Sequence, residues 1–164
     1  YAKAVAAGFP LAIVGGRRDV MDTLLDKGVM HGGTYNGNVQ SMAAALATLD
    51  VLEAGDGAVY RGLEARGKRL MQGLASLARK RELAMKVQGL PAIFQCFFTD
   101  GPPPRNYREA VACDRDKALA FHMALQEEGI RTNQNSKFFL SVAHDDAIID
   151  ETLAAADRAM AAIA

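Results

Sequence analysis

Tryptophan is absent, aromatic residues make up only 7% of the 164 positions, and the chain has two cysteines and three histidines. Cys96 and Cys113 stand alone, without a CxxC pair or metal-ligand spacing. That argues against a disulfide scaffold and suits a reducing compartment, so a cytoplasmic protein is expected. His31, His122 and His144 are widely separated and match no zinc pattern, so no metal site is expected. Charge excess is lacking too: nineteen basic residues balance nineteen acidic ones. No face becomes strongly basic by simple surplus, which argues against nucleic acid as a partner. No run reaches the roughly 20 apolar residues of a membrane span, and no basic leader with a cleavage site is present. A membrane is therefore not expected as a partner. The chain also lacks an initial methionine. It opens at Tyr1 inside an apolar, glycine-rich segment, so further protein is expected ahead of it.

Half the residues are hydrophobic, enough for one ordinary core or for one domain plus a piece of another. The glycines and proline of residues 4–16 favour turns around a short buried strand, Leu11–Gly15. "RRDVMDTLL" offers a short amphipathic helix with Val20, Met21, Leu24 and Leu25 on one side. "DKGVMHGGTYNGN" reads as a loop. From Gln40 to Glu53 the sequence is helix by propensity, with Asn36 or Asn38 as cap and an alanine face suited to close backbone approach. "EAGDGA" breaks it.

A second long helix follows. Val59, Leu63, Leu70, Leu74 and Leu77 recur at three- and four-residue steps once Arg66–Gly67 is counted as a turn. "AMKVQGLPAIFQCFFTD" predicts two strands joined at Gly89–Pro91, and "GPPPRNYREAVACD" a proline-led loop. A helix over about 116–128 ends at Gly129. A polar turn then leads to a short strand around Phe138–Val142. The last helix starts near Asp145 and carries Ile149, Leu153, Ala156, Met160 and Ile163 on one face. Asp145–Asp146 and Asp150–Glu151 surround its first turn, where they favour the helix dipole. His122 and His144 suit capping or packing. The whole is mixed α/β, divided near residues 54–58.

Two stretches could carry chemistry. Lys3 sits among alanine, valine and glycine, with no carboxylate before Asp19. Close apolar packing would strip hydration from its ammonium and favour the neutral amine that imine formation with an aldehyde requires. Composition equally suits a lysine whose stem lies on apolar surface with its tip in water. "HGGTYNGN", running into a helix, combines glycine N–H groups, a threonine hydroxyl and a helix start, which together suit an anion. It equally suits a plain connector capped by asparagine, and it has neither P-loop nor dinucleotide-site spacing.

In order, "AKAVAAGFPLAIVGGRRDVMD", "HGGTYNGNVQSMAAALATLDVLE" and "GIRTNQNSKFFLSVAHDDAIIDETLAAADRAM" resemble the class III pyridoxal-phosphate aminotransferases, nearest the branch of glutamate-1-semialdehyde 2,1-aminomutase. The resemblance covers essentially the whole chain, as the C-terminal part of such a protein. It implies an α/β fold of fold type I: residues 1–56 end the large cofactor-binding domain, and 57–164 form a small C-terminal α+β domain. It implies pyridoxal 5'-phosphate as cofactor. Lys3 becomes the Schiff-base lysine and catalytic proton shuttle, and Gly33 and Thr34 the cofactor-phosphate ligands. Because the family's Gly-Thr serves the neighbouring subunit, a homodimer with shared active sites is implied. So is a small amino acid or amino aldehyde substrate.

Two departures stand out. "RTNQNSKFF" is shorter than the corresponding aminomutase segment and lacks its gating glutamate, which points towards an aminotransferase-like relative. Val39 replaces a common proline. A racemase, epimerase or decarboxylase on the same scaffold, and a non-catalytic fragment or interaction module, remain open alternatives. The family's phosphate-cradling loop, stacking aromatic and pyridine-pairing aspartate lie upstream of the lysine. The chain is thus expected to be incomplete alone, with the N-terminal half supplied by another chain or segment, and to be inactive without it.

Overall fold

The computed structural model describes residues 1–134 and 136–164, so Asn135, in the expected polar turn, lies outside the described residues. The chain divides into two compact units, Tyr1–Val59 and Tyr60–Ala164.

The first unit opens with a 3-10 turn at Lys3–Ala6 that ends on left-handed Ala7. The strand expected at Leu11–Gly15 does not form. A strand needs a neighbour to take its N–H and C=O groups. Among the described residues only Ile13 finds one, exchanging two hydrogen bonds with Tyr1 at 2.6 and 2.7 Å. The single amphipathic helix expected next is instead two one-turn pieces, α1 (Arg18–Met21) and α2 (Thr23–Asp26). Val20 and Leu25 stay exposed, so no buried face holds the two pieces in register. Lys27–Asn38 is the expected loop.

Helix α3 (Val39–Lys80) starts where the asparagine signal places it: Asn38 Oδ1 accepts the Ser41 N–H at 3.0 Å. Its small-residue face lets another backbone in. Ser41 and Ala45 are buried, and the Ser41 hydroxyl donates to the Pro10 carbonyl at 3.1 Å. The helix is broken within "EAGDGA", where Gly55, Asp56 and Gly57 take φ of 58°, 55° and 73°. Two glycines make that left-handed run accessible.

The second unit packs helices on one face of an antiparallel sheet of order β1-β2-β3. The hairpin of β1 (Met85–Leu90) and β2 (Ile93–Phe98) turns at Pro91–Ala92, with Leu90 opposite Ile93. Alternation on β2 sends Phe94, Cys96 and Phe98 inward, each at most 2% exposed. They meet Leu70 and Leu74 of α3, Phe121 and Leu125 of α5 (Arg115–Glu127), and Ile149, Ala156 and Met160 of α6 (Asp146–Ile163). Phe94 stacks on Phe138 at 5.0 Å, and Phe98 meets Phe121 edge-on at 5.7 Å. Each large side chain so buried contributes about 1.5–3 kcal/mol. Helix approach is close as well: a Cβ on Gly73 would stand 2.4 Å from Leu153 Cδ2.

Two expectations need correction here. The proline-led loop contains a short helix, α4 (Tyr107–Val111). Asn106 Oδ1 caps it through the Glu109 N–H at 3.1 Å, while the Glu109 carboxylate takes the Arg105 N–H at 2.8 Å. Strand β3 (Lys137–Phe139) is shorter and earlier than expected. The Leu140 N–H still bonds to Ala92 in the same register at 2.9 Å, and the chain then turns through Ser141–His144.

The acidic start of α6 does more than face a helix dipole. Asp145 caps the helix through the Ile148 N–H at 2.9 Å. Asp146 lies 3.7 Å from Arg66, Asp150 pairs with Arg69, and Asp157 pairs with Arg81 at 2.9 Å. The Arg81 hydrogen bond holds the Asp157 carboxyl below the usual carboxylate range.

Candidate active site

Lys3, Gly33 and Thr34 all belong to the first unit. Lys3 lies in the 3-10 turn at φ 60° with an exposed side chain, so the small residues around it in sequence do not enclose it within this unit. Its ammonium has no hydrogen-bond or ion-pair partner among the described residues. A left-handed φ is uncommon for a residue with a long side chain and restricts the direction in which that side chain leaves the backbone.

Gly33 begins the first of two overlapping turns that run into α3, and Thr34 lies inside that first turn. The Gly33 carbonyl accepts the Asn36 N–H at 3.0 Å, and the Tyr35 carbonyl accepts the Asn38 N–H at 3.1 Å. A Cβ at Gly33 would stand 3.0 Å from Asn36 Oδ1, so a side chain there would press on the turn. Thr34 is exposed, and its hydroxyl has no partner among the described residues. Glycine N–H, free hydroxyl and helix start form a donor set that matches a phosphate in chemistry. An unpaired primary amine matches a cofactor aldehyde. The residues present therefore fit pyridoxal phosphate, although among the described residues no hydrogen bond joins Lys3 to Gly33 or Thr34.

What does join the two segments is Ser41, which sequence reasoning did not single out. Its buried hydroxyl ties Pro10, at the end of the lysine segment, to the helix that follows Thr34. The available signal was a serine three residues beyond the Asn38 cap, on the alanine face. Beside it, a shallow apolar cleft is lined by Ala7, Ala44, Thr48 and Val51.

The remaining candidates are structural. His122 is buried, with Nδ1 2.9 Å from Thr132 Oγ1. His144 Nδ1 accepts the Ser141 N–H at 2.9 Å, just before α6. Both cysteines are free, and burial pushes the Cys96 thiol far up, away from reactivity. Among the described residues no cluster of metal-ligating side chains occurs, and no helix is long and apolar enough to cross a membrane.

The family described as Aminotransferase class-III matches residues 1–163. A glutamate-1-semialdehyde 2,1-aminomutase of Methanothrix thermoacetophila is 40% identical over 93% of this chain, and that of Nitrosospira multiformis is 35% identical over 97%. Those matches span only 35% and 37% of the relatives, so the chain covers little more than a third of their length. Among solved structures, the internal aldimine form of a Sphingopyxis FumI protein superposes with a TM-score of 0.81 at 28% identity. It covers 99% of this chain and 36% of that one. An omega-transaminase from Sphaerobacter thermophilus superposes with a TM-score of 0.75 at 26% identity, over 96% of this chain and 37% of that one. These neighbours share the fold-type I architecture, and this mixed helix-and-sheet chain corresponds to a C-terminal portion of it.

Proposed function

The chain belongs to the class-III aminotransferase family, and on that premise we propose that it carries the reactive lysine of a pyridoxal-phosphate enzyme that moves an amino group on a small amino acid or amino aldehyde. The observation that carries the proposal is the unpaired amine of Lys3 in a chain matched along almost its whole length by one family. When bound, pyridoxal phosphate supplies the electron sink that lets a proton leave the amino-bearing carbon. Lys3 would hold the cofactor through its amine, and that same amine would take the proton and return it to the product, acting as general base and then general acid.

Gly33 and Thr34 hold the phosphate through a backbone N–H and the hydroxyl, in a neighbouring copy, which makes the protein a homodimer. Ser41 acts as a positioning residue by holding the Pro10 segment on α3. In this reading residues 1–56 end the cofactor-binding domain and 57–164 form the small domain. The counterpart of the relatives' remaining length supplies the ring's aspartate partner. Free thiols and balanced charge suit a cytoplasmic enzyme.

The test is α-keto acid formation by the complete protein, loaded with cofactor and given amino donors and an added acceptor. Amino-group transfer that Lys3→Ala abolishes is the expected result, seen as keto acid formation or, with an amino aldehyde as substrate, as its isomer. Exchange of the α-hydrogen without keto acid would show a racemase or epimerase instead, and no cofactor-dependent reaction at all would overturn the reading.

A further inference from the structure

The second unit contains a cavity of about 290 Å³ at a place where the sheet ladder stops short. β2 and β3 pair from Ile93↔Phe139 to Gln95↔Lys137, and the Cys96 N–H extends the edge by bonding to the Ser136 carbonyl at 3.1 Å. There the neighbouring chain departs. Ser136 has φ 51° and donates its own N–H to Asn133 at 2.9 Å, not to Cys96. By the alternation of an antiparallel ladder, the next groups on this edge are the Cys96 carbonyl and the Phe98 N–H. Neither has a hydrogen-bond partner among the described residues, although Cys96 and Phe98 are only 1% and 2% exposed. The edge closes again immediately beyond, where the Asp114 N–H bonds to the Phe98 carbonyl at 2.9 Å. Buried backbone groups seldom go without partners, so this gap is a place for a donor and an acceptor from outside.

The two open groups flank Phe97, one accepting and one donating. A single residue in an extended conformation satisfies both at once, with its own N–H on the carbonyl and its own carboxyl or carbonyl on the N–H. Charge in the cavity fits the same unit. Arg115 and Lys137 both line it, and neither has an ion-pair partner among the described residues. The carboxylate in the lining, Asp114, is committed to capping α5 through the Lys117 N–H at 2.8 Å. Phe97, Tyr107 and Val111 supply an apolar wall.

We infer that this cavity binds one α-amino-acid unit. Its nitrogen donates to the Cys96 carbonyl, its carboxylate takes the Phe98 N–H and the two cations, and its apolar side chain lies on the Phe97–Val111 wall. The unit is either a free amino acid or the last residue of a peptide, which share this chemistry. The site belongs wholly to the second unit, so it stands independently of the chemistry assigned to Lys3.

Cys113 also lines the cavity and is partly buried, which makes its alkylation a direct reporter of occupancy. The complete protein is treated with iodoacetamide, and Cys113 modification is followed by peptide mass spectrometry with three probes: L-leucine, N-acetyl-L-leucine and 4-methylpentanoate. At roughly 10 mM, a concentration suited to so small a ligand, L-leucine or N-acetyl-L-leucine slows Cys113 modification about fivefold and saturably. The arm that protects identifies the source, free amino acid or chain end. 4-Methylpentanoate lacks the nitrogen donor and protects at least about fivefold less at the same concentration. Arg115→Gln with Lys137→Gln removes the protection, read as the ratio of rates with and without probe in that same variant, since two fewer cations beside Cys113 also change its intrinsic reactivity. The wild-type probe contrast decides the matter even if that variant fails to fold. No saturable protection by either amino-acid probe overturns the inference, as does equal protection by 4-methylpentanoate. So does a Cys113 that does not react at all, because the cavity is then filled by the protein itself.

Discussion

The two units use their apolar residues in opposite ways. In Tyr60–Ala164 they converge on one core, with Phe94, Phe98, Phe121, Leu74 and Met160 at most 2% exposed. In Tyr1–Val59 the buried residues are small, Ala6, Ser41 and Ala45, while Met30, Val39 and Leu46 are 94%, 80% and 61% exposed. One face of the first arm of α3 packs on Pro10, and its other face shows an apolar stripe of Val39, Met42, Leu46 and Leu49 to solvent. A surface of that kind marks a contact to be made with other protein. The lesson is a division of labour: the unit with the large core holds none of the proposed cofactor residues, and the unit that holds them leaves its large apolar side chains exposed.

That contrast breaks first at the core. Phe94→Ala should lower the unfolding free energy of the second unit by about 3–5 kcal/mol in a denaturant titration, through lost burial and a cavity beside Phe138. Leu46→Ala, on the exposed stripe, should cost under about 0.5 kcal/mol in this chain alone, and more in the complete protein if that stripe is covered there. Gly73→Ala should cost about 1–3 kcal/mol despite the better helix propensity of alanine, because the new methyl meets Leu153. Asn38→Ala should cost about 1 kcal/mol by removing the cap of α3, with faster amide exchange confined to the first turn beyond it.

The smallest effect separates the units by pH. Asp157 is held low by Arg81, and Glu109 by the Arg105 N–H, so each ionises more readily folded than unfolded. Their stabilisation is present above the ordinary carboxylate pKa of about 4 and is lost as pH falls through the lower folded values. Both lie in the second unit, and Asp157→Asn should flatten the acid limb of its stability curve, followed by circular dichroism.

The same division explains what the sequence could reveal. The face of α6, the second arm of α3 and the hairpin were legible because the partners of Ile149, Leu74 and Phe94 lie within the same unit, so local period and tertiary burial agree. The strand at Leu11–Gly15 and the single helix over "RRDVMDTLL" were not, because their apolar residues have no local surface to pack on. Helix α4 was hidden behind three prolines, with only Asn106 and Glu109 to announce it. Lys3 and Gly33–Thr34 were singled out by motif order alone, because their local physics also suited a solvated lysine and a capped loop. Ser41 was missed because its role lies in a bond 31 positions back along the chain, which no local pattern displays.

The most direct test of the central claim is reductive trapping. The complete protein is loaded with pyridoxal phosphate, reduced with borohydride, digested and mapped by mass spectrometry. The account predicts a stable pyridoxyl adduct on Lys3, absent from Lys3→Ala. A full adduct on any other lysine, with Lys3 unmodified, would contradict it.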